Sequence, residues 1–154
     1  MRNTTYFLLI IFLLNFSLYQ KSIGQSTSVA IIEKIQFIEN EYIELAQSPG
    51  SWLNISANGF LVEKDTTNDL QVAFGLRDIL AEDVRVVTTD APDHYALTFF
   101  CKKNERCIQF YQNSGKVAYY SSFEAFYIQT DRPERCQEIK NTFVSLIKML
   151  NENR

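Results

Sequence analysis

The sequence predicts an α+β domain: an N-terminal helix, then seven to eight short antiparallel strands in one curled sheet or barrel, then a C-terminal amphipathic helix that closes one end. Three observations carry this. Apolar residues recur at helical spacing over 29–47 and again after Asp131. Between those stretches, short runs rich in aromatic and β-branched side chains alternate with turn signals such as Asn58-Gly59, Asp90–Asp93 and Asn113-Ser114-Gly115. Strands that follow one another so closely pair as antiparallel neighbours, and a long twisted sheet tends to curl or split.

The first two dozen residues read as a targeting segment rather than as part of the fold. Arg2 supplies a positive start, Tyr6–Phe16 is almost unbroken apolar sequence, and Ser22-Ile23-Gly24 ends on the small residues a signal peptidase favours. The apolar run is shorter than the roughly 20 residues a membrane-spanning helix needs. The expectation is a signal peptide over 1–24, cleaved near Gly24 or Gln25, and an exported product, periplasmic or extracellular. The alternative is a retained anchor. Of the 15 basic and 18 acidic side chains, that segment holds only Arg2 and Lys21, so the remainder carries 13 basic and 18 acidic groups, a net charge of −5. About 130 residues make one domain, 25–154, with room for a real core. A mildly acidic chain without a basic stripe argues against nucleic acid, and also against anionic membrane surfaces.

Within 29–47, Ile31, Ile35, Ile38, Tyr42 and Leu45 alternate steps of four and three with Glu and Gln between them. Ser28 stands where an N-cap belongs, and Ser48-Pro49-Gly50-Ser51 ends the helix, since proline cannot continue it and glycine accepts left-handed geometry. Trp52–Ser56 and Phe60–Lys64 flank Ala57-Asn58-Gly59, a strong hairpin signal. Asp65–Asp69 is a polar loop, and Leu70–Leu76 is a strand with a bend at Gly75. Leu76–Leu80 is a helical turn or an irregular connector. Further strands are expected at Val84–Thr88, Tyr95–Cys101, Cys107–Gln112, Lys116–Ser121 and Phe123–Gln129, with the hairpin His94–Gln112 at the centre. Asp131 and Glu134 read as a capping box, with Pro133 in the first turn. Cys136, Ile139, Phe143, Leu146, Ile147 and Leu150 then share one helix face.

From about Trp52 to Leu150, this order and spacing resembles the pleckstrin-homology-like architecture, a seven-stranded meander closed by one amphipathic helix. Leu76-Arg77-Asp78-Ile79 is similar to the leucine–polar–aspartate–isoleucine connector of several such domains. The resemblance implies a PH-like barrel, with the helix at 29–47 added outside it. Phosphoinositide-binding members use a basic loop between their first two strands. This chain has the uncharged Ala57-Asn58-Gly59 there, so no phosphoinositide binding is expected. Many members also carry a tryptophan in the last helix, where this chain has Phe143. The rival architecture is a small calycin-like barrel, which also ends in a helix and holds an apolar ligand.

Three cysteines in an exported chain leave one over. A turn centred on Asn104 brings Cys101 and Cys107 opposite each other, the expected disulfide. A bond from either to Cys136, or three buried thiols, are the alternatives. No short Cys spacing accompanies the single His94, so no metal site or cofactor is expected. His94 beside Asp93 has no nucleophile motif to serve. Glu82, Asp83, Asp90 and Asp93 lie at turns, where such residues serve the backbone, and Asp65–Asp69 lacks the glycine and the closing acid of a calcium loop. No catalytic residue is assigned. Lys102, Lys103 and Arg106 cluster at one turn and suit an acidic partner or a solvated tip. The aromatics Trp52, Tyr111, Tyr119, Tyr120, Phe126 and Tyr127 are the remaining candidates. Adjacent pairs such as Tyr119-Tyr120 and Phe126-Tyr127 put one ring on each face of a strand, and the face away from the core would meet a partner or lie under the first helix. The leading expectation is therefore an exported, non-enzymatic module that binds a protein or peptide. The alternative is a barrel carrying a small apolar molecule, and a hydrolase comes last.

Overall fold

Where the sequence suggests separate hairpins, the pairings build long strands bent in the middle. The computed structural model describes residues 27–48, 50–65, 70–111 and 116–153, with backbone only at position 104. The expected signal segment, the calcium-like loop beyond Asp65 and the turn at Asn113-Ser114-Gly115 lie outside the described residues. Helix α1 covers 27–45. It is followed by β1 (Trp52–Ile55), β2 (Phe60–Asp65), β3 (Leu70–Gly75), β4 (Arg85–Thr88), β5 (His94–Phe100), β6 (Ile108–Tyr111), β7 (Val117–Ser121), β8 (Phe123–Gln129) and helix α2 (Pro133–Glu152). The strands form two sheets, ordered β1-β2-β3-β6-β7 and β4-β5-β8, antiparallel throughout.

The two sheets are halves of one meander. β3 pairs with β6 while β4, next in the chain, pairs with β5, and β7 pairs with β6 while β8 pairs with β5. Thus β3/β4, β5/β6 and β7/β8 each behave as one strand with a corner. At the corner, Leu76–Asp78 and Ala81–Asp83 form short 3-10 turns, and Ser122 alone separates β7 from β8. The described sheets do not close on one another into a barrel.

The hairpin expected over His94–Gln112 is absent, because β5 and β6 lie in different sheets. Cys101 instead bridges Ile79, and its N–H donates to Ser122 O at 2.9 Å, which fixes the end of β5 at the bend. The 3-10 turn Lys102–Asn104, with Lys103 at φ 54°, redirects the chain into the other sheet. The expected disulfide is formed: Cys101 and Cys107, six residues apart, are bonded with their Cα atoms 5.8 Å apart. It staples a corner rather than a hairpin. Cys136 is free and buried in α2, which pushes its thiol pKa up.

Alternation along the strands selects the core face. Leu53, Ile55, Leu61, Val72, Phe74, Ile108 and Phe110 point inward from the first sheet, and Leu97, Phe99, Phe126 and Ile128 from the second. Both helices pack on this concave side. α1 buries Ile31, Ile35, Ile38, Tyr42 and Leu45, the face its periodicity marks, and α2 buries all six residues of its apolar stripe. Phe99 ties the layers together, its ring centroid 5.6 Å from Phe74, 5.1 Å from Phe126 and 5.0 Å from Phe143. Arg135 at the start of α2 donates to Glu41 and Glu44 of α1 at 2.8 and 2.7 Å. Gly59, at φ 85°, closes the β1–β2 turn in a conformation that favours glycine, and a Cβ there would stand 2.5 Å from Leu150 Cδ1 and push that side chain aside.

Two expected caps are absent. Ser28 lies inside α1. Asp131 does not cap α2: Arg132 occupies the N-cap position without a side-chain bond, and its N–H donates to Thr130 Oγ1 at 3.1 Å. Thr130 takes the local role because its N–H is held by Asp93 O, at the end of β8.

Phe99→Ala is expected to lower unfolding free energy by about 3–5 kcal/mol in denaturant titration, against less than about 1 kcal/mol for the exposed Phe123→Ala. Reducing the Cys101–Cys107 bond is expected to cost about 2 kcal/mol, the loop-closure entropy of so short a loop, with the far-ultraviolet circular dichroism unchanged.

Candidate functional site

A cleft of about 580 Å³ opens on the concave face where the end of α1 leaves the sheet. Such a volume suits a small organic ligand. Val72 of β3, Phe110 of β6 and Phe126 of β8 form its apolar wall. Gln47, Ser48 and Ser51 line the side given by the segment after α1. That segment is anchored: Ala46 bridges Ile128, and Gln47 N–H donates to Tyr127 O at 3.2 Å. Glu63 and Asp65 enter from β2, Glu124 from β8 and Tyr42 from α1.

Glu63 is the unusual member. Its side chain stands on the inward parity of β2 with Leu61, and the residue is only 7% exposed. The Tyr42 hydroxyl donates to Glu63 Oε1 at 2.8 Å. Burial pushes the Glu63 carboxyl up to about 7. Asp65 adds to that rise and the Tyr42 hydrogen bond opposes it. Burial pushes the Tyr42 phenol well above its ordinary range, with Glu63 reinforcing the effect. Glu124 is also pushed up to about 7, chiefly by burial and further by Glu63, against the Ala125 N–H that donates to its Oε1 at 2.9 Å. Both carboxyls therefore hold their protons well above the ordinary carboxylate range, beside a wall of rings. Phe110 is stacked on Tyr119, centroids 4.2 Å apart. Burial, then Glu124, raises the Tyr119 phenol.

The residues singled out in the sequence divide among three places. Phe126 and Tyr127 line the cleft, but Phe126 is buried in the core and is not part of an exposed aromatic face. Tyr119 (51% exposed) stands inward beside Phe110, while Tyr120 (49%) and the half-buried Tyr111 lie on the opposite face. Trp52 is exposed on that same outer face, across from Lys64. Lys103 and Arg106 are exposed at the disulfide corner. Lys102 is half-buried there, donating to Arg77 O and to Asn151 Oδ1, and it lines a second, more open cavity of about 500 Å³. Pro92 O accepts from or faces His94 Nδ1 at 2.8 Å, and His94 lines neither cavity. Among the described residues, no group of three His, Cys, Asp or Glu side chains is placed to hold a metal ion.

Sequence reasoning missed Tyr42, Glu63 and Glu124 as site residues, although a signal was present. Glu63 shares strand parity with Leu61, and Glu124 shares it with Phe126 and Ile128. A carboxylate on the buried parity of a strand is a departure that alternation alone exposes. The chain matches no protein-family model and no curated protein.

Both carboxyls hold their protons more tightly in the folded state than at the ordinary value of 4.5. The stability they contribute is therefore complete below about pH 4.5 and is lost as pH rises through about 7. The urea midpoint is expected to fall between pH 5 and pH 8. Glu63→Gln keeps an acceptor for Tyr42, and it should flatten that dependence and stabilise the protein at pH 8 by about 1–2 kcal/mol.

Proposed function

We propose that the protein is an exported binding domain that holds a small molecule in the concave cleft. The observation that carries this is Glu63, a nine-tenths-buried carboxyl facing a cavity of ligand size. Burying a carboxyl without full pairing is costly, and such groups gather at functional sites. A wholly apolar ligand would leave Glu63 and Glu124 unanswered, so the ligand has an apolar body for Val72, Phe110 and Phe126 and a polar end for the acids. The formed disulfide supports export, as does the signal-like sequence of residues 1–24. Among the described residues, no helix is long and apolar enough to cross a membrane. The consecutive meander followed by α2 supports a PH-like or calycin-like lineage. The anchored segment beside β8 supports a barrel wall completed by chain outside the strands.

A second reading, a protein- or peptide-binding module, is favoured by the outer face of the β4-β5-β8 sheet. There Val87 of the edge strand β4 and Tyr127 are exposed in one cross-strand row through Ala96, and the exposed Phe123 ring lies tilted against Phe100, centroids 5.0 Å apart. Strand addition at such an edge is a common mode of peptide capture.

Native mass spectrometry of the protein recovered from the exported fraction tests the first reading. A small-molecule mass increment is expected in the native chain and not in Leu70→Trp, which fills the cleft from its edge. An unliganded native chain, or an increment retained in Leu70→Trp, contradicts it.

A further inference from the structure

We infer that the ligand of the cleft is an organic cation, an amine with an apolar or aromatic body, whose ammonium group lies against the carboxylates of Glu63 and Glu124. This rests on the ligand-binding reading and specifies its chemistry.

The charge of the lining is one-sided. Glu63, Asp65 and Glu124 face the cleft, and none of its described lining residues is Lys, Arg or His. Among the described residues, the carboxyl of Glu63 is only half satisfied. Oε1 accepts from Tyr42, whereas Oε2 accepts no hydrogen bond from any described residue. Glu63 itself lines the cavity. An ammonium donor supplies what that oxygen lacks, and its charge answers Glu124 as well. An anionic ligand would meet the carboxylates of Glu63 and Glu124 and is repelled.

The wall suits the same ligand. Tyr42, Phe110 and Phe126 line the cleft with aromatic rings. Ring faces attract a cation within about 6 Å, and more strongly when it is desolvated. The absence of a metal-like group of three donors among the described residues turns the inference from an inorganic ion to an organic one. The groups facing Glu63 and Glu124 are Tyr42 from α1, Asp65 from β2, Tyr119 from β7 and the two carboxyls themselves; none is cationic. With both carboxyls near 7, an amine that stays protonated throughout binds better as they ionise. Affinity should rise about tenfold from pH 6 to pH 8 for each carboxylate that must lose its proton.

The test titrates the whole mature protein with three probes of matched shape, phenethylamine, phenethyl alcohol and phenylacetate, followed by amide shifts in nitrogen-15 correlation spectra. Phenethylamine is expected to bind at least about tenfold more tightly than the alcohol at pH 8, moving the amides of Glu63, Val72, Phe110 and Glu124, while phenylacetate moves none of them. Glu63→Gln and Glu124→Gln should each weaken the amine about tenfold and reduce its pH dependence, leaving the alcohol unaffected. Two variants guard against loss of fold in either. Should the alcohol bind as well as the amine, or the pH dependence run the other way, the cation is wrong and the cleft takes a neutral acceptor from protonated carboxyls; the binding reading then survives. If no probe moves a cleft amide, both fail.

Discussion

Phe99 has no exposed surface and touches three other rings, each from a different element. Phe74 belongs to the first sheet, Phe126 to the second, and Phe143 to α2. Tyr42 of α1 extends the cluster through Phe126, centroids 5.7 Å apart. This one aromatic contact decides how far the meander bends. If the sheet were flatter, Phe74 and Phe99 would part. A tighter bend would leave no space for Phe143. Dense interiors tolerate neither change cheaply. The disulfide, the 3-10 turns and the single residue between β7 and β8 are the covalent and backbone means of turning the corner that this packing requires.

The cleft follows from the same geometry. α2 fills the concavity at the Phe99 end. α1 covers the Phe126 side and ends at Leu45, and Ala46 then docks the chain along β8. Beyond that point the inward residues of β2, β3, β6 and β8 line the cleft, and they include Glu63 and Glu124 in positions the alternation reserves for apolar side chains. Apolar replacements at both sites would complete the core at lower cost. Their presence, with Tyr42 oriented onto one of them, is the feature that packing does not account for and that the proposed ligand would.

Much of the architecture was legible in the sequence. Helical periodicity located α1 and α2 and named their buried faces, because one face of each packs against a core and the pattern records it. The runs of aromatic and β-branched residues located the strands. What could not be read was the connectivity around Cys101 and Cys107. A short polar segment between two strands carries the same signature whether it reverses the chain within one sheet or carries it across a corner. The difference is set by Ile79, Ser122 and the ring cluster, all distant in sequence. The disulfide was the right pair for the wrong local reason. The helix starts one residue later than the Asp131 signature implies, with Arg132 at the N-cap and no side-chain cap bond. Surface aromatics drew attention to Phe126, which is core, while the acids on the inward parity of β2 and β8 passed unremarked, since two isolated glutamates among strand residues lack a motif.

On the reading proposed above, the buried Glu63 and the half-buried Glu124 are interacting acids poised near neutrality in a ligand cleft. Carbon-13 chemical shifts of the glutamate side-chain carboxyls, followed from pH 4 to pH 9 in the unliganded protein and assigned with Glu63→Gln and Glu124→Gln, measure this directly. The account expects these two carboxyls to titrate near pH 7, and removal of either to lower the other. If both titrate at the ordinary carboxylate value near 4.5, with no mutual effect, they are solvated surface acids and the account of the cleft is wrong.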